Sequence, residues 1–200
     1  MYSHSNKARR LFQLRIINFS RIILLLVSLV LLSGCNTGVS PDNSGVEDIQ
    51  VYFSPADNCD THVVAAIENA KQELNIAVYS FNRQSISNAV IAAYNRGVAV
   101  RVVFDESQLT GPNSKHNELK NAGIAVRKDK PTSAGTSQMH DKFAIIDKHV
   151  VITGSYNWTS NATLNNDENL LIITSDSLSE TYNTEFERIW LHAQELEPAD

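Results

Sequence analysis

Cysteine is scarce. Cys35 and Cys59 are the only two in 200 residues and they form no CxxC pair, which excludes a zinc site built from cysteines. No block of sequence repeats, so the chain holds no internal second copy of any motif and no second domain is visible. A long apolar run is lacking as well. The run Ile22 to Leu32 is broken only by Ser28 and falls short of the about 20 residues that cross a bilayer. A basic excess is missing. The net charge of -5 conceals an asymmetry, because residues 1–34 carry Lys7, Arg9, Arg10, Arg15 and Arg21 and no acid. Without them, 12 basic residues face 22 acidic ones, a charge of -10. So acidic a body argues against a protein that coats nucleic acid by bulk electrostatics, though not against an enzyme with a locally basic cleft. What remains is ordinary globular composition, which excludes wholesale disorder, at a length suited to one domain with an appendage.

The appendage reads as an address. The basic residues near the start form a positive n-region, and Ile22 to Leu32 has the length of a signal h-region. Leu32-Ser33-Gly34-Cys35 follows directly. Leucine, two small residues and cysteine resemble the bacterial lipobox, where cleavage precedes a cysteine whose thiol is lipidated. The expected organisation is a lipoprotein signal peptide over 1–34, a flexible tether over 35–48 after lipidated Cys35, and a catalytic domain over 49–200. Thr37 to Asp48 is rich in Gly, Ser, Pro and Asp with no hydrophobic period, as a tether requires. The expected location is the cell envelope, with the protein lipid-anchored and facing the periplasm or exterior. Asn36 after the lipidated position is compatible with onward sorting to an outer membrane, by analogy with Gram-negative lipoproteins. Cys59 then stands alone as a small buried hydrophobe.

Along the body, strand and helix patterns alternate. Ile49 to Ser54 reads as a strand ended by Pro55. Asp60 to Gln72 is a helix by its apolar spacing, with Asp60 or Thr61 as its cap. Leu74 to Phe81 is a buried strand, Gln84 to Asn95 a helix stopped by Gly97, Val98 to Phe104 a strand. Ser114 to Asn121 is a short helix and Ile124 to Arg127 a short strand. A polar loop, Lys128 to Gln138, leads into a strand bearing His140 and Lys142. Lys142 to Ile146 and Val150 to Thr153 form a hairpin about Lys148-His149. Asn169 to Thr174 is a further strand, and Leu178 to Leu191 a closing helix with Tyr182, Phe186, Ile189 and Trp190 inward. The fold class is α/β, a mixed β-sheet flanked by helices, with parallel pairs joined by right-handed crossovers. Tyr79, Tyr94, Phe104, Phe186 and Trp158 are expected in the core. Glu185 and Glu187 are expected on an exposed helix face.

The stretch with chemistry in it is Met139 to Trp158, MHDKFAIIDKHVVITGSYNW. Residues two apart on a strand project from one face. His140 and Lys142 thus offer a nucleophile-capable imidazole beside a fixed positive charge, while Asp141 points away. Such a pair suits an anion such as a phosphodiester. Asp147 falls at the strand's end, where it supports the turn by side-chain hydrogen bonds rather than moving protons.

The pattern H-x-K-x4-D-x6-G-S-x-N-W, with Asn166-Asp167-Glu168-Asn169 downstream, resembles the HKD motif of the phospholipase D superfamily, in its short, single-motif bacterial endonuclease-like branch. Ala77 to Phe81 and Arg96 to Asp105 are similar too, and the resemblance runs from Ile49 to the closing helix. It implies a phospholipase D-like fold with one HKD motif per chain. His140, Lys142 and Glu168 would be catalytic, with Glu168 orienting His140. Lys142, Ser155 and Asn157 would bind the substrate phosphate, and Asp147 would be structural support. The family uses no cofactor and no metal, because lysine supplies the charge and histidine the nucleophile. Its mechanism needs two motif histidines, and His62, His116, His149 and His192 each lack a lysine two places on. A twofold homodimer with two His140 side chains meeting is therefore expected. The expected function is a metal-independent nuclease hydrolysing DNA and/or RNA through a phosphohistidine. The alternatives are a phospholipase D or cardiolipin hydrolase acting on membrane phospholipid, and a non-catalytic binding protein on the same fold. Arg127, Lys128 and Lys130 flank the loop that enters the motif and are placed to steer a polyanion.

Cys35→Ala should abolish lipid attachment. Metabolic labelling with a radioactive fatty acid, followed by detergent phase partitioning, checks this, with label expected on the wild type alone.

Overall fold

The computed structural model describes residues 45–131 and 137–196. The lipobox, the h-region and most of the tether lie outside the described residues. Those described fall within one compact unit, Asn43–Asp200. Among them no helix is long and apolar enough to cross a membrane.

The strands are β1 (Asp48–Ser54), β2 (Glu73–Val78), β3 (Ala99–Asp105), β4 (Ala125–Asp129), β5 (Lys142–Ile146), β6 (Val150–Gly154), β7 (Glu168–Thr174) and β8 (Gln194–Glu195). The helices are α1 (Cys59–Glu68), α2 (Gln84–Asn95), α3 (His116–Asn121), α4 (Ser160–Leu164) and α5 (Asp176–His192). One eight-stranded sheet runs β1-β7-β6-β5-β2-β3-β4-β8. The β2–β3 and β3–β4 pairs are parallel, and every other pair is antiparallel. The parallel half follows from the strand–helix alternation of residues 73–129, since a parallel return needs a crossover. The antiparallel half follows from the tight turn at 147–149.

Each strand divides its residues between two faces. Leu74, Ile76 and Val78 of β2 and Val100, Val102 and Phe104 of β3 enter the larger core with Val63, Ile67, Ile86 and Val90 of α1 and α2. Ala77, Val103, Phe143 and Ile145 face the other way and pack under Phe186 and Ile189 of α5. Tyr182 and Trp190 are partly buried against that second core. Trp158 is buried edge-on to Phe81 at 5.2 Å, and Cys59 is a free, buried thiol whose pKa burial pushes up.

Several boundaries differ from the sequence reading. α1 stops at Glu68 instead of Gln72, and neither Asp60 nor Thr61 caps it: Asp60 is buried in an ion pair with Arg83 (2.8 Å), and the Thr61 hydroxyl donates to Asn58 O. β2 stops at Val78 instead of Phe81, because the backbone of Ser80 to Arg83 turns to bond Trp158. α4 is only five residues long, too short for a helical period to show; Thr159 Oγ1 caps it by accepting from Ala162 N. α5 begins at Asp176, capped by the Ser175 hydroxyl on Leu178 N.

Asp147 holds the turn. It sits at a positive φ of 54°, and its carboxylate accepts from the backbone N–H groups of Lys71 (3.0 Å), Gln72 (2.7 Å) and Glu73 (3.0 Å). The β5–β6 turn is thereby tied to the start of β2, which also explains the early end of α1. Burial works against the charged carboxylate, but the three backbone donors outweigh it and hold its pKa below the usual range. A depressed carboxylate stabilises the fold above its unfolded pKa and loses that contribution as pH falls through the folded value. Asp147→Ala should cost about 2 kcal/mol at neutral pH. Thermal melts across roughly pH 2 to 7 should show the variant losing less stability on acidification than the wild type.

Candidate active site

One edge of the sheet collects the C-terminal ends of β2, β3 and β6 and the N-terminal ends of β5 and β7. The registers Val78↔Lys142 and Gly154↔Leu170 place the motif residues along it. Lys142 is the first residue of β5, and His140 lies just before the strand rather than on it. The pairing nevertheless continues one step, because Tyr79 N donates to Asp141 O at 2.7 Å. Alternation therefore still puts His140 and Lys142 on a common side. Asp141 has Glu185 and Arg188 of α5 as electrostatic neighbours, on the other side.

His140 is exposed and Lys142 is buried. The Lys142 ammonium lies 3.1 Å from His140 Nδ1 and 2.5 Å from His140 O. It also sits over the Tyr79 ring, 4.9 Å from the centroid. The Tyr79 and His140 rings are 4.4 Å apart and tilted by 53°. Burial lowers the Lys142 pKa, while the charges of Asp141, Glu168 and Asp105 pull the other way.

Ser155 and Glu168 meet where β6 hands over to β7. Ser155 Oγ donates to Glu168 Oε2 (2.6 Å) and accepts from Asn169 N (3.0 Å), and Ser155 N donates to Asn169 Oδ1 (2.9 Å). Glu168 Oε1 accepts from Asn166 Nδ2 at 2.9 Å. Glycine precedes the serine for a steric reason. Gly154 has φ +142°, and a Cβ there would lie 2.2 Å from Asn169 O. Among the described residues no hydrogen bond joins Glu168 to His140. The expected carboxylate support of the imidazole is replaced in this state by Lys142, because Glu168 is already engaged by Ser155 and Asn166. Asn157 is half-buried, and its buried Oδ1 has no hydrogen-bond partner among the described residues. Asp147 is remote from these groups, at the opposite end of β5.

Two residues with a place here were not singled out in the sequence. Tyr79 was expected in the core, yet it is half-buried and wedged against His140 and Lys142. Asp105 is buried, accepts from Met139 N at 2.7 Å and from Ser107 N at 3.0 Å, and so pins the backbone next to His140. Both occupy the C-terminal end of a parallel strand, the position where open α/β sheets gather functional groups. Of the flanking cations, Arg127 is committed to α5: it donates to Trp190 O at 2.7 Å and lies 4.3 Å over the Trp190 ring. Lys128 pairs with Glu106 at 2.9 Å, and Lys130 is exposed.

The other described histidines have partners elsewhere. His62 stacks on Tyr52, His116 bonds Ser114, His149 bonds Asp176 and His192 bonds Asp129. No group of three or more His, Cys, Asp or Glu arranged to hold a metal occurs among the described residues.

A family model described as "Cardiolipin synthase, PLD-like domain" matches residues 63–190, more than half of the chain. The chain belongs to the phospholipase D superfamily. Its mixed sheet with flanking helices is similar to that of a phospholipase D family member, Nuc from Salmonella typhimurium, with a TM-score of 0.71 and 33% identity over 76% of this chain and 99% of that one. NucT from Helicobacter pylori gives 0.70 and 25% over 74% and 99%. Among curated proteins, the mitochondrial cardiolipin hydrolase of Xenopus tropicalis is 38% identical over 72% of this chain and 65% of its own length. The human protein of that name is 40% identical over 65% and 50%. A Rickettsia conorii phospholipase D is 37% identical over 67% and 65%. The chain thus spans one half to two thirds of these curated relatives. Within this superfamily of phosphodiesterases, the H-x-K pair, the serine and the asparagine of the motif stretch lie along the edge just described, and Asp147 lies at the far end of β5.

A bound oxyanion requires Lys142 as the ammonium. Because burial lowers that pKa, tungstate affinity should fall as pH rises, with a midpoint below the ordinary lysine value, and Lys142→Arg should remove the fall because guanidinium does not titrate there. Calorimetric titration between roughly pH 7 and 10.5 reads this out.

Proposed function

We propose that the protein is a metal-independent phosphodiesterase, and specifically a nuclease hydrolysing DNA and/or RNA in a homodimeric site. The observation that carries the nuclease reading is the character of the edge. Its lining is open and polar: exposed His140 and Ser155, half-buried Asn157 and Tyr79, with Gln108 and Gln138 beside them. A polyanion presents its phosphate to such a surface without needing an acyl pocket. In the proposed mechanism a His140 ring nitrogen attacks phosphorus, forming an N–P bond as the P–O bond to the leaving group breaks. The partner's His140 gives its proton to the leaving oxygen and then takes one from the water that hydrolyses the phosphohistidine. Lys142 and Ser155 donate to the nonbridging oxygens. Asn157 joins them by turning its amide so that Nδ2 donates to the phosphate from the place of the unpartnered Oδ1.

The second copy is supported by two features. Among the described residues no other imidazole contacts His140. Ile49, Val51 and Phe53 alternate along the sheet-edge strand β1 and are 52%, 48% and 56% exposed. Phe53 registers with Asn169, next to Ser155 and Glu168, so this apolar strip adjoins the site and is suited to closing it against a partner.

The names of the curated relatives favour a second reading, hydrolysis of cardiolipin or another phospholipid, and the lipid anchor read at Cys35 would bring such a substrate close. Incubating the full chain in EDTA with single- and double-stranded DNA, RNA and cardiolipin vesicles separates the two. Cleavage of nucleic acid, lost by at least about a thousandfold in His140→Asn, is the expected result, and lipid turnover alone would overturn it. Sedimentation of the same preparation should give a dimer; a fully active monomer would exclude the shared site.

A further inference from the structure

Tyr79 touches both members of the motif pair and neither is its covalent neighbour. The ring lies 4.9 Å under the Lys142 ammonium and 4.4 Å from the His140 ring. Its hydroxyl is tethered at both sides, by Gln108 Nε2 at 2.9 Å and Gln138 Nε2 at 3.0 Å. The orientation of the Gln108 amide follows from the surrounding bonds. Ser107 Oγ gives its hydrogen to Asp105 Oδ1 and so can only accept from Gln108, which must present its nitrogen at 3.2 Å. The phenol is thereby fixed from outside the site and the ring cannot swing away from the lysine.

The direction of the Lys142–His140 contact has a chemical consequence. An ammonium is a donor only, so His140 Nδ1 at 3.1 Å accepts. In the neutral imidazole the ring hydrogen then resides on Nε2. That tautomer can give a proton outward from Nε2 but cannot attack with it.

We propose that Tyr79 is the positioning residue of a resting latch: its clamped ring holds the Lys142 ammonium against His140 Nδ1 and keeps His140 in the Nε2–H tautomer until an anion draws the lysine away. A phosphate oxygen competes for the ammonium, Nδ1 is released, and the hydrogen moves to Nδ1, leaving Nε2 free to attack. The nucleophile is then exposed only when the phosphate that it attacks is present. The latch rests on the phosphodiesterase reading for its purpose but not for its geometry.

The test is imidazole nitrogen NMR on the full chain, ¹⁵N-labelled at histidine, at about pH 8, where an ordinary imidazole is neutral. The His140 signals are assigned by their loss in His140→Gln. The expected result is the Nε2–H tautomer in the substrate-free wild type, moving toward Nδ1–H on addition of tungstate. Tyr79→Leu should shift the substrate-free tautomer ratio by about two- to thirtyfold, the range that loss of a cation–π contact spans. Tyr79→Phe keeps the ring but loses the hydroxyl tethers to Gln108 and Gln138 and should fall between wild type and Tyr79→Leu. The signals of His62, His116, His149 and His192 report whether each variant keeps its fold. Lys142→Met, which removes the ammonium and leaves Tyr79 in place, should free the tautomer equally and stands in if Tyr79→Leu does not fold. A substrate-free wild type already in the Nδ1–H form, or a folded Tyr79→Leu identical to it, would overturn the latch. A latched tautomer in a protein that cleaves no phosphodiester would instead refute the functional reading alone.

Discussion

The antiparallel pairing of β5 with β2 is the contact on which the rest depends. It is the seam between the parallel half of the sheet and the antiparallel half. It sets Lys142 opposite Val78 and carries on to the Tyr79–Asp141 hydrogen bond. A slip of one residue would send Phe143 and Ile145 out from under α5 and turn Lys142 to the wrong face. Asp147 secures this register from the far end of β5, through the backbone of residues 71–73. Asp105 secures the near end, through Met139 N. Two carboxylates thus fix one strand at both ends by accepting from main-chain N–H groups, which are donors that no side-chain motion can withdraw.

The contrast between scaffold and site is electrostatic. In the scaffold, charges are matched: Asp147 has three backbone donors, Asp60 has Arg83, and Arg101 has Glu187 at 2.6 Å. At the site edge the matching is incomplete. Among the described residues Lys142 is buried with an imidazole nitrogen, a carbonyl and an aromatic face around it and no carboxylate in contact, and Asn157 keeps an unpartnered buried oxygen. A buried ammonium with no carboxylate in contact costs stability, and on the proposed reading a phosphate oxygen supplies the anion that Lys142 lacks. The proposed anionic substrate is compatible with an acidic body because the Lys142 cation is desolvated at the point of contact, even with Asp141, Glu168 and Asp105 acting on it.

Much of the site was legible because its residues are close in sequence. His140, Lys142, Ser155 and Asn157 lie within eighteen positions, and two strands joined by a turn must bring them to one edge. Asp147 was legible as structural from its place before the turn, although the donors that it engages belong to a segment some seventy residues earlier, beyond any local pattern. Tyr79 was misread for a physical reason. A tyrosine at the end of an apolar run has the composition of a core strand, and only the departure of the chain at Ser80 toward Trp158 leaves its ring at the rim. The Glu168 contact differed for a related reason: which nitrogen or hydroxyl a carboxylate meets depends on side-chain competition, and Ser155 and Asn166 reached it first.

By itself the amino-acid sequence determined the alternation that makes an α/β sheet, the hairpin at 147–149, the membership of the superfamily through one motif, and the pairing of an imidazole with a lysine on a common side. These are consequences of period and spacing, which local backbone geometry enforces. The tertiary structure alone decided the strand order, the burial of Lys142, the wedging of Tyr79 between lysine and histidine, and the exposure of Ile49, Val51 and Phe53 along the edge. Each depends on which distant segments meet, and that follows from how two cores on opposite faces of one sheet are filled together.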